Sequence, residues 1–452
     1  MGEEAKGGIT TTKDLKRVLG FKELFLTAIG QIIGGGIMSL TGVAIARSGH
    51  AVPLAFLLSA VIVVLITIPR VLLCGTIRMR GGEYTMIGLM AGNKFSGVFI
   101  WLHIAQNIAI AMYALSFADY FLAFMPLLDR KLIAIAVLTI FYLLNLLGID
   151  KMAKAQNLIV GIMCISLALF CAFGIMKVDF SKFAMGNMFN HGGVSGMLGA
   201  AVLLIYATSG ASAMMNLSAE AKDPVRDLPK AMIASTFVVA ILYAFMGIVA
   251  SGVLPIEKVA NQSLAVVADT ILPKPLYVFF VIGGCMFALI STLNSQFAWA
   301  TKPIMQACVD GWLPEKLGVV SKKYKTPYIL LSILYAIGIA CIIFNLDLDI
   351  IATVTVIINQ LMYLMININV VKLPKVIPEQ WKKSKFRVSD RVLIIIMIAS
   401  VSMNLVNIWL IAHDYSWWVY VANFGCFALA YIYAILRMKA GLVHMEISYE
   451  DQ

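Results

Sequence analysis

Charged residues are scarce in this sequence. They make up 13% of its 452 residues, whereas 61% of the residues are hydrophobic, and the mean hydropathy is +0.90. A soluble domain is usually about a quarter charged and about half apolar. The apolar stretches are joined by short connections, which leave no room for a soluble catalytic domain. The composition therefore indicates one helical domain that is embedded in a membrane.

Clusters of metal-binding or nucleophilic residues are also lacking. The seven cysteines fall mostly inside the apolar stretches, where cysteine usually serves as a packing residue, so they do not indicate a disulfide framework. His103, His191 and His413 are scattered along the chain. An enzyme would need a nucleophile and a base, or a metal cluster, at one depth. We therefore expect a protein that is not an enzyme and has no cofactor, apart from the ion considered below.

About twelve stretches are long enough to cross a bilayer, which takes about 20 mainly apolar residues. They lie near residues 22–47, 51–77, 95–125, 131–149, 155–176, 194–219, 230–253, 275–307, 327–345, 349–371, 390–412 and 415–437. If the N-terminus is cytoplasmic, most of the 35 lysines and arginines fall in cytoplasmic connections, as is typical of membrane proteins. The net charge of +11 therefore indicates orientation and contact with lipid headgroups. It does not indicate binding to nucleic acid.

Two of these stretches have centres that disfavour a continuous helix. In the first, Gly34, Gly35 and Gly36 follow one another, and each glycine costs a helix about 1 kcal/mol relative to alanine. The sixth has "YATSGAS" at residues 206–212. Transporters use paired interruptions of this kind in their two halves, where the loose backbone lines a cavity. Close packing of helices through small residues is the alternative explanation.

Four motifs, in this order, resemble the amino-acid permeases of the amino acid–polyamine–organocation superfamily. They are "IIGGGI" (32–37), "RGGEYTMIG" (80–88), "YATSGASAMMNLSAEAKDPVRDLPKA" (206–231) and "STLNSQFAWATKPIMQACVDGWLP" (291–314). The resemblance covers roughly residues 20–440. It implies the leucine-transporter-like fold, which is an all-α polytopic membrane protein of about 12 transmembrane helices with helices 1 and 6 broken.

The resemblance also implies how the chain is divided. Residues 1–20 would be a cytoplasmic tail, 21–438 a single transmembrane transporter domain, and 439–452 a second cytoplasmic tail. Within the domain, an inverted repeat of five plus five helices would occupy about 21–176 and 194–371. Two extra helices would follow at about 390–437.

The family places an amino-acid substrate at the two breaks. Its carboxylate would meet the N–H groups of residues 34–36, and its ammonium would meet carbonyl groups near Ile33 and at residues 206–209. A helix N-terminus does favour an anion, and freed carbonyl groups favour a cation. Tyr206 occupies the position of the family's aromatic gate. The expected substrate-binding residues are Ile33, Gly34, Gly35, Gly36, Tyr206, Ala207, Thr208, Ser209, Gly210 and Ala211.

A sodium site is the second expectation. The segment "ALIST" in span 8 resembles the sodium motif of sodium-coupled relatives, which adds two hydroxyls to backbone carbonyl groups. The ligands would be Gly30, Ile33, Ala288, Ser291 and Thr292. Uncharged oxygens of this kind suit a hard cation, although Ser and Thr also join helices.

Span 5 supports the same expectation. Relatives of the heteromeric and cationic types often have a lysine seven residues after a glutamine, and its ammonium group lies where sodium-coupled members hold a sodium ion. Here Gln156 is followed at that spacing by Met163, which carries no charge. Sodium coupling is therefore favoured, with proton coupling and uncoupled exchange as the alternatives.

Three further residues are candidates for secondary roles. Lys302 stands where the family usually has arginine, so it could form an inner-gate contact without bidentate geometry. Asn107, together with His103 and Gln106, and Asn294 lie within predicted spans. Polar residues inside a membrane usually face the bundle interior. These could either line the substrate pocket or bond to neighbouring helices.

The expected function is secondary active transport of neutral, zwitterionic amino acids by alternating access, coupled to sodium. Near the middle of spans 1, 3, 6, 8 and 10 there is no Asp or Glu to bind a second ammonium group. The alternatives are a sodium-independent exchanger, an amine or polyamine antiporter, and an amino-acid sensor that does not transport. The expected partners are a small-molecule amino acid and the lipid bilayer.

The expected location is the plasma (inner) membrane of a prokaryote, with multiple spans and both termini in the cytoplasm. Nucleic acid is not an expected partner. A disulfide-linked heavy subunit is not expected either, because the connection "MPLLDRK" between spans 3 and 4 contains no cysteine.

Overall fold

The computed structural model describes residues 15–122, 126–344, 348–414, 417–445 and 449–450. Within these ranges the regular structure is helical, apart from two short strands, β1 (Arg78–Met79) and β2 (Tyr449–Glu450). The strands pair antiparallel, with Arg78 opposite Glu450. The prediction of an all-α polytopic membrane protein is confirmed. The two predicted tails, 1–20 and 439–452, lie partly outside the described residues.

The first five predicted spans correspond to the first eight α-helices. These are α1 (Phe21–Ile32), α2 (Gly35–Ser48), α3 (Val52–Cys74), α4 (Glu83–Ala91), α5 (Asn93–Gln106), α6 (Ala109–Leu122), α7 (Arg130–Leu146) and α8 (Ile149–Ile175). Span 1 is split between α1 and α2. Span 3 is split between α5 and α6, which the sequence did not predict. A short 3₁₀ segment joins α2 to α3 at Gly49–Ala51.

The next five spans follow the same plan. The helices are α9 (Met185–Met188), α10 (Gly193–Thr208), α11 (Pro224–Val253), α12 (Ile256–Val259), α13 (Leu264–Ile271), α14 (Lys274–Phe279), α15 (Phe287–Val309), α16 (Tyr328–Ile343) and α17 (Leu348–Asn367). Span 6 is α10 followed by a 3₁₀ segment at Ala211–Leu217. Span 8 begins with α14, passes through a π-helical segment at Phe280–Met286 and continues as α15. Further 3₁₀ turns lie at Phe180–Phe183 and Glu315–Gly318.

The remaining helices form the last two spans and the connection that precedes them. They are α18 (Leu373–Val376), α19 (Pro378–Lys383), α20 (Asp390–Asp414) and α21 (Trp417–Lys439), with a 3₁₀ turn at Val370–Lys372 before them. In the described part of the chain, nine segments are long and apolar enough to cross a membrane. The other three predicted spans are the interrupted first one and two shorter helices, α7 and α16, of 17 and 16 residues. The proposed division into two inverted repeats stays a prediction.

Both predicted interruptions are present, although the first begins earlier than the glycine run. Ile33 and Gly34 are extended, and Gly35 and Gly36 already belong to α2. In span 6, Ser209 is extended and Gly210 has a φ of 134°. Only glycine adopts such a φ without strain. Gly34 is thus the glycine that ends the first interruption, and Gly210 is the one that bends the second.

Candidate functional site

The two interruptions lie side by side. A Cβ atom added to Gly36 would lie 3.4 Å from the Cα of Ala207 in α10, and one added to Gly210 would lie 2.9 Å from the carbonyl oxygen of Gln31 in α1. The start of α2 therefore packs on the last turn of α10, and the second break packs on the end of α1. At Gly210 the close approach requires a residue with no side chain, whereas a Cβ at Gly36 would be in ordinary van der Waals contact.

This arrangement brings helix ends of opposite polarity together. Gly34 caps α2, and its first turn contains Gly35 and Gly36, so the N–H groups of that turn point along the axis toward the break. The last turns of α1 and α10 end at the same place and present carbonyl groups. A helix N-terminus carries a partial positive charge and a C-terminus a partial negative charge. One small region can therefore attract an anionic group and a cationic group at once.

The predicted substrate-binding residues are brought together at this region, but they do not contribute in the same way. Gly34, Gly35, Gly36, Ser209 and Gly210 are partly exposed, although they lie in mid-span. Tyr206 is 44% exposed at the last turn of α10.

Four other predicted residues are buried: Ile33, Ala207, Thr208 and Ala211. The Thr208 hydroxyl donates to Leu204 O at 3.0 Å and to Ser59 Oγ at 3.3 Å. Its side chain therefore faces α3, so this threonine could contribute to the region only through its backbone.

The five predicted cation ligands also converge. Ser291 Oγ lies 3.0 Å from Gly30 O, and Thr292 Oγ1 lies 3.1 Å from the same oxygen. Thr292 Oγ1 is also 3.5 Å from Ile33 O and 3.0 Å from Ala288 O. The break in span 1 makes this possible, because the carbonyl groups of Gly30 in α1 and of the extended Ile33 face α15.

These oxygens fit a cation of moderate size and low charge. Oxygens that surround an ion at about 2.4 Å are about 3.4 Å from one another in an octahedral arrangement, and the observed separations are 3.0–3.5 Å. All five oxygens are uncharged. Among the described residues there is no cluster of three or more His, Cys, Asp or Glu that could hold a metal ion. The donor set therefore suits a monovalent cation better than a divalent one.

In span 5 the polar side chain that contacts this cluster, among the described residues, is Gln156. Its Nε2 donates to Ser291 Oγ at 3.0 Å. Met163 is buried in the same helix two turns further along, which is about 10 Å along the helix axis. The resemblance places Met163 at the position of the relatives' lysine, but spacing along the sequence does not show which turn of α8 faces α15. The sequence signal for Gln156 was a polar side chain inside a predicted span, since such residues usually face the bundle interior.

Asn107 and Asn294 bond to neighbouring helices. Asn107 Nδ2 donates to His103 O at 2.7 Å, and its Oδ1 accepts from Gln296 Nε2 at 3.0 Å. Asn294 Nδ2 donates to Gln156 Oε1 at 2.7 Å. Of the two roles that the sequence left open, these hydrogen bonds favour the joining of helices.

A family comparison gives the same assignment for almost the whole chain. The model of the amino acid permease family matches residues 19–436. The chain belongs to the amino acid permease family. The family predicted from four short motifs is thus confirmed, and the permease is a multi-pass membrane protein.

Several known proteins are similar to the permease. The branched-chain amino acid permease BcaP of Bacillus subtilis is 26% identical over 340 residues, which cover 70% of this chain and 72% of the relative. The uncharacterized protein MJ0609 of Methanocaldococcus jannaschii is 27% identical over 300 residues, covering 64% and 68%. The methylthioribose transporter of Bacillus subtilis is 23% identical over 338 residues, covering 70% and 72%. The relatives that have a named activity are transporters, which points away from an enzyme.

Lys302 belongs to a buried ion pair. Lys302 Nζ lies 3.0 Å from Glu220 Oε1, and the side chains are 4% and 1% exposed. The segment before α1 also contacts Glu220, because the N–H groups of Val18 and Leu19 donate to Glu220 O at 3.0 and 3.1 Å. Lys302 therefore forms an ion pair, and its role in an inner gate stays a prediction. Its partner could not be identified from the sequence.

A second buried ion pair was missed by the sequence analysis. Arg70 Nε lies 3.3 Å from Glu83 Oε1, and the Arg70 guanidinium lies 3.8 Å above the ring of Tyr363. The Tyr363 hydroxyl is 2.9 Å from Ser212 Oγ, just after the second break. The sequence did contain one indication of this ion pair, because Glu83 is an acidic residue within the "RGGEYTMIG" motif.

Replacing Lys302 by methionine is expected to destabilise the permease by about 3–5 kcal/mol, because the Glu220 carboxylate would stay buried without its partner. Thermal unfolding of the purified protein measures the change. Lys382→Met is the matched control, since that lysine pairs with Glu379 at an exposed position, and such pairs contribute little. Adding Glu220→Gln to Lys302→Met should recover most of the loss. A double variant as unstable as the single one would contradict this account of the pair.

Proposed function

We propose that the permease is a secondary active transporter of neutral, zwitterionic amino acids, which works by alternating access and is coupled to sodium. The observation that carries the proposal is the close approach of the two breaks. The N-terminus of α2 would bind the substrate carboxylate, and the carbonyl groups at the ends of α1 and α10 would bind the ammonium group. Each charge of the substrate then has a matching set of backbone dipoles.

The charges around the breaks support a zwitterion over a diamine or an acidic substrate. Two carboxylates buried in the described part of the chain, Glu220 and Glu83, are each paired with a cation, Lys302 and Arg70 respectively. A second ammonium group would need a buried carboxylate as partner. The prediction of an amine or polyamine antiporter is therefore the weaker alternative.

An apolar side chain is the best fit for the substrate. The Cβ position of Gly35 is 3.2 Å from the end of the Leu289 side chain, and that of Gly36 is next to Ala207. Both neighbours are apolar. The relative BcaP, which is 26% identical, is a branched-chain amino acid permease. Leucine, isoleucine and valine are therefore the first substrates to test.

The oxygens of Gly30, Ile33, Ala288, Ser291 and Thr292 would hold sodium. An ion bound there would join α1 to α15 beside the substrate, and its gradient would supply the driving force. Sodium-independent exchange is the second candidate, because the two hydroxyls already donate to carbonyl groups within the cluster. The hydroxyl groups of the cluster therefore have hydrogen-bond acceptors even without an ion.

Alternating access would require the ion pair of Glu220 to separate when that end of the protein opens. The segments before and after the membrane domain both lie near this end. The N–H of Lys222 donates to Leu19 O at 2.8 Å. Arg78 both donates to Ala221 O at 2.9 Å and pairs with Glu450 of β2. This shared side supports the proposal that both termini are in the cytoplasm. The prokaryotic plasma (inner) membrane is the location in keeping with the two Bacillus relatives.

Uptake of labelled leucine into proteoliposomes tests the proposed function. The vesicles are prepared empty or loaded with leucine, and the outside contains sodium or potassium. Uptake into empty vesicles that needs external sodium would support a sodium symporter. Sodium-independent uptake into loaded vesicles alone would establish the exchanger. Binding of leucine without uptake in any condition would favour the sensor and contradict transport.

A further inference from the structure

A row of buried amide side chains leads to the proposed sodium site from α7. Asn145 Nδ2 donates to Asn294 Oδ1 at 3.0 Å, Asn294 Nδ2 donates to Gln156 Oε1 at 2.7 Å, and Gln156 Nε2 donates to Ser291 Oγ at 3.0 Å. All four side chains are at most 4% exposed. We call Asn145, Asn294 and Gln156 the amide relay.

Backbone carbonyl groups fix the direction of the amide relay. Each asparagine also donates to one of them: Asn145 Nδ2 to Phe141 O at 2.9 Å, and Asn294 Nδ2 to Met152 O at 3.4 Å. A carbonyl oxygen only accepts hydrogen bonds, so turning either amide over would place two acceptors against each other. Both asparagines are therefore oriented, and the glutamine that follows them must present an N–H group to the site.

This N–H group determines how the Ser291 hydroxyl is used. A serine hydroxyl has one proton to donate and two lone pairs to accept with. Gln156 occupies one lone pair, which holds the oxygen in place and leaves the other lone pair for a cation. Thr292 obtains its orientation differently, because its own hydroxyl donates to Ala288 O one turn earlier in α15. The amide relay thus orients the Ser291 hydroxyl, whereas a carbonyl group of α15 orients the Thr292 hydroxyl.

Gln156 and Ser291 contact α1 so closely that no side chain fits at position 30. A Cβ atom on Gly30 would lie 2.1 Å from Gln156 Nε2 and 2.1 Å from Ser291 Oγ. The amide and the hydroxyl therefore meet directly against the backbone of α1, one turn before the break. Any larger residue at position 30 would push them apart. The relay thus ties α7, α8 and α15 to the interrupted helix that also forms the substrate region.

We propose that the amide relay positions the Ser291 hydroxyl and thereby sets the sodium affinity of the permease. The proposal rests on the proposed function, of which sodium coupling is a part. The three side chains are positioning residues, and Asn145 and Asn294 reach the site only through Gln156 in the part of the chain that is described. Loss of such a supporting partner usually weakens metal binding about 10–100-fold. The alternative is that the relay only holds helices together, as buried amides often do.

The test compares Gln156→Leu with the unmodified protein. Sodium binding is measured from the rise of the unfolding temperature with sodium chloride, at constant ionic strength with potassium chloride, since a ligand that binds the folded state stabilises it. Leucine uptake into proteoliposomes gives the half-saturating sodium concentration separately. Gln156→Leu should raise both sodium constants about 10-fold or more. The KM for leucine at saturating sodium should stay unchanged.

Two other variants separate positioning from loss of structure. Asn294→Leu leaves Gln156 in place but removes its oriented partner, so it should shift the sodium constant in the same direction by a smaller factor. Gln360→Leu is the matched control, because Gln360 accepts from Asn404 at 3.1 Å between α17 and α20. It should lower the unfolding temperature without changing the sodium constant.

Three results would overturn the inference. The first is an unchanged sodium constant in Gln156→Leu and Asn294→Leu, although the unmodified protein responds to sodium. The second is an equal shift in Gln360→Leu, which would mean that any lost amide bond has this effect. The third is an unmodified protein that does not respond to sodium by either measurement. That result would also remove sodium from the proposed function. Transport of leucine would still be tested separately, by sodium-independent uptake into loaded vesicles.

Discussion

Replacing Gly35 by leucine is expected to abolish amino-acid binding and to leave the protein folded. Gly35 is the first residue of α2, and its Cβ would lie 3.2 Å from the end of the Leu289 side chain. A flexible side chain can move aside, so the helices need not separate. The new side chain would fill the space in front of the helix N-terminus. Losing charge-assisted hydrogen bonds worth about 1.5–3 kcal/mol each should weaken leucine binding by about 100-fold or more.

Gly199→Leu is the matched control for this experiment. Gly199 lies in α10, and a Cβ atom there meets nothing within 4 Å, so binding should be unchanged. Leucine binding to the purified protein is measured by scintillation proximity, and folding by size-exclusion chromatography. If Gly35→Leu bound leucine as well as the unmodified protein, the first break would not be the binding site.

The combined change Ser291→Ala and Thr292→Val is expected to remove sodium stimulation. It deletes two of the five oxygens that would hold the ion and keeps the shape of the second side chain. Since losing a supporting partner alone weakens metal binding about 10–100-fold, losing two direct ligands should weaken it by about 100-fold or more. The sodium dependence of leucine uptake and the sodium-dependent rise of the unfolding temperature both measure this loss.

An adjacent serine and threonine in α11 provide the control. Ser235 and Thr236 are buried, and both hydroxyls donate to Met232 O within their own helix, at 3.2 and 2.9 Å. Ser235→Ala with Thr236→Val therefore removes the same atoms without touching the cluster, and sodium stimulation should persist. Sodium stimulation that survived the change at positions 291 and 292 would show that these hydroxyls only join helices.

The interruptions could be predicted because their cause is local. Three glycines in a row, and a glycine among small residues five spans later, are poor helix formers wherever they occur. The residue at which each helix begins again could not be predicted from the sequence. Gly35 and Gly36 are helical because the extended Gly34 already caps α2. They pack near Leu289 and Ala207, and these contacts depend on residues far away in the chain.

The residues proposed to hold a cation were indicated by the resemblance to a sodium motif, whereas the side chains that contact them could not be predicted from the sequence. Ser291 and Thr292 are one turn after Ala288 in a single helix, so periodicity alone brings their oxygens together. Gln156 and Asn145 come from two other helices, and their contact with α15 is set by how those helices rotate and pack. For the same reason the sequence pointed to Met163. Glu83 and Glu220 likewise could be seen in motifs, but their partners Arg70 and Lys302 required the fold.

The central claim is that the backbone at the two breaks binds both charges of a zwitterionic amino acid. Competition against labelled leucine on the purified protein tests it most directly, with 4-methylpentanoate, which lacks the ammonium group, and leucinamide, which lacks the carboxylate. The account predicts that unlabelled leucine competes and that each analogue is weaker by about 10-fold or more, since each loses at least one charge-assisted hydrogen bond. An analogue that competed as well as leucine would show that the charge it lacks is not recognised, and would contradict the account.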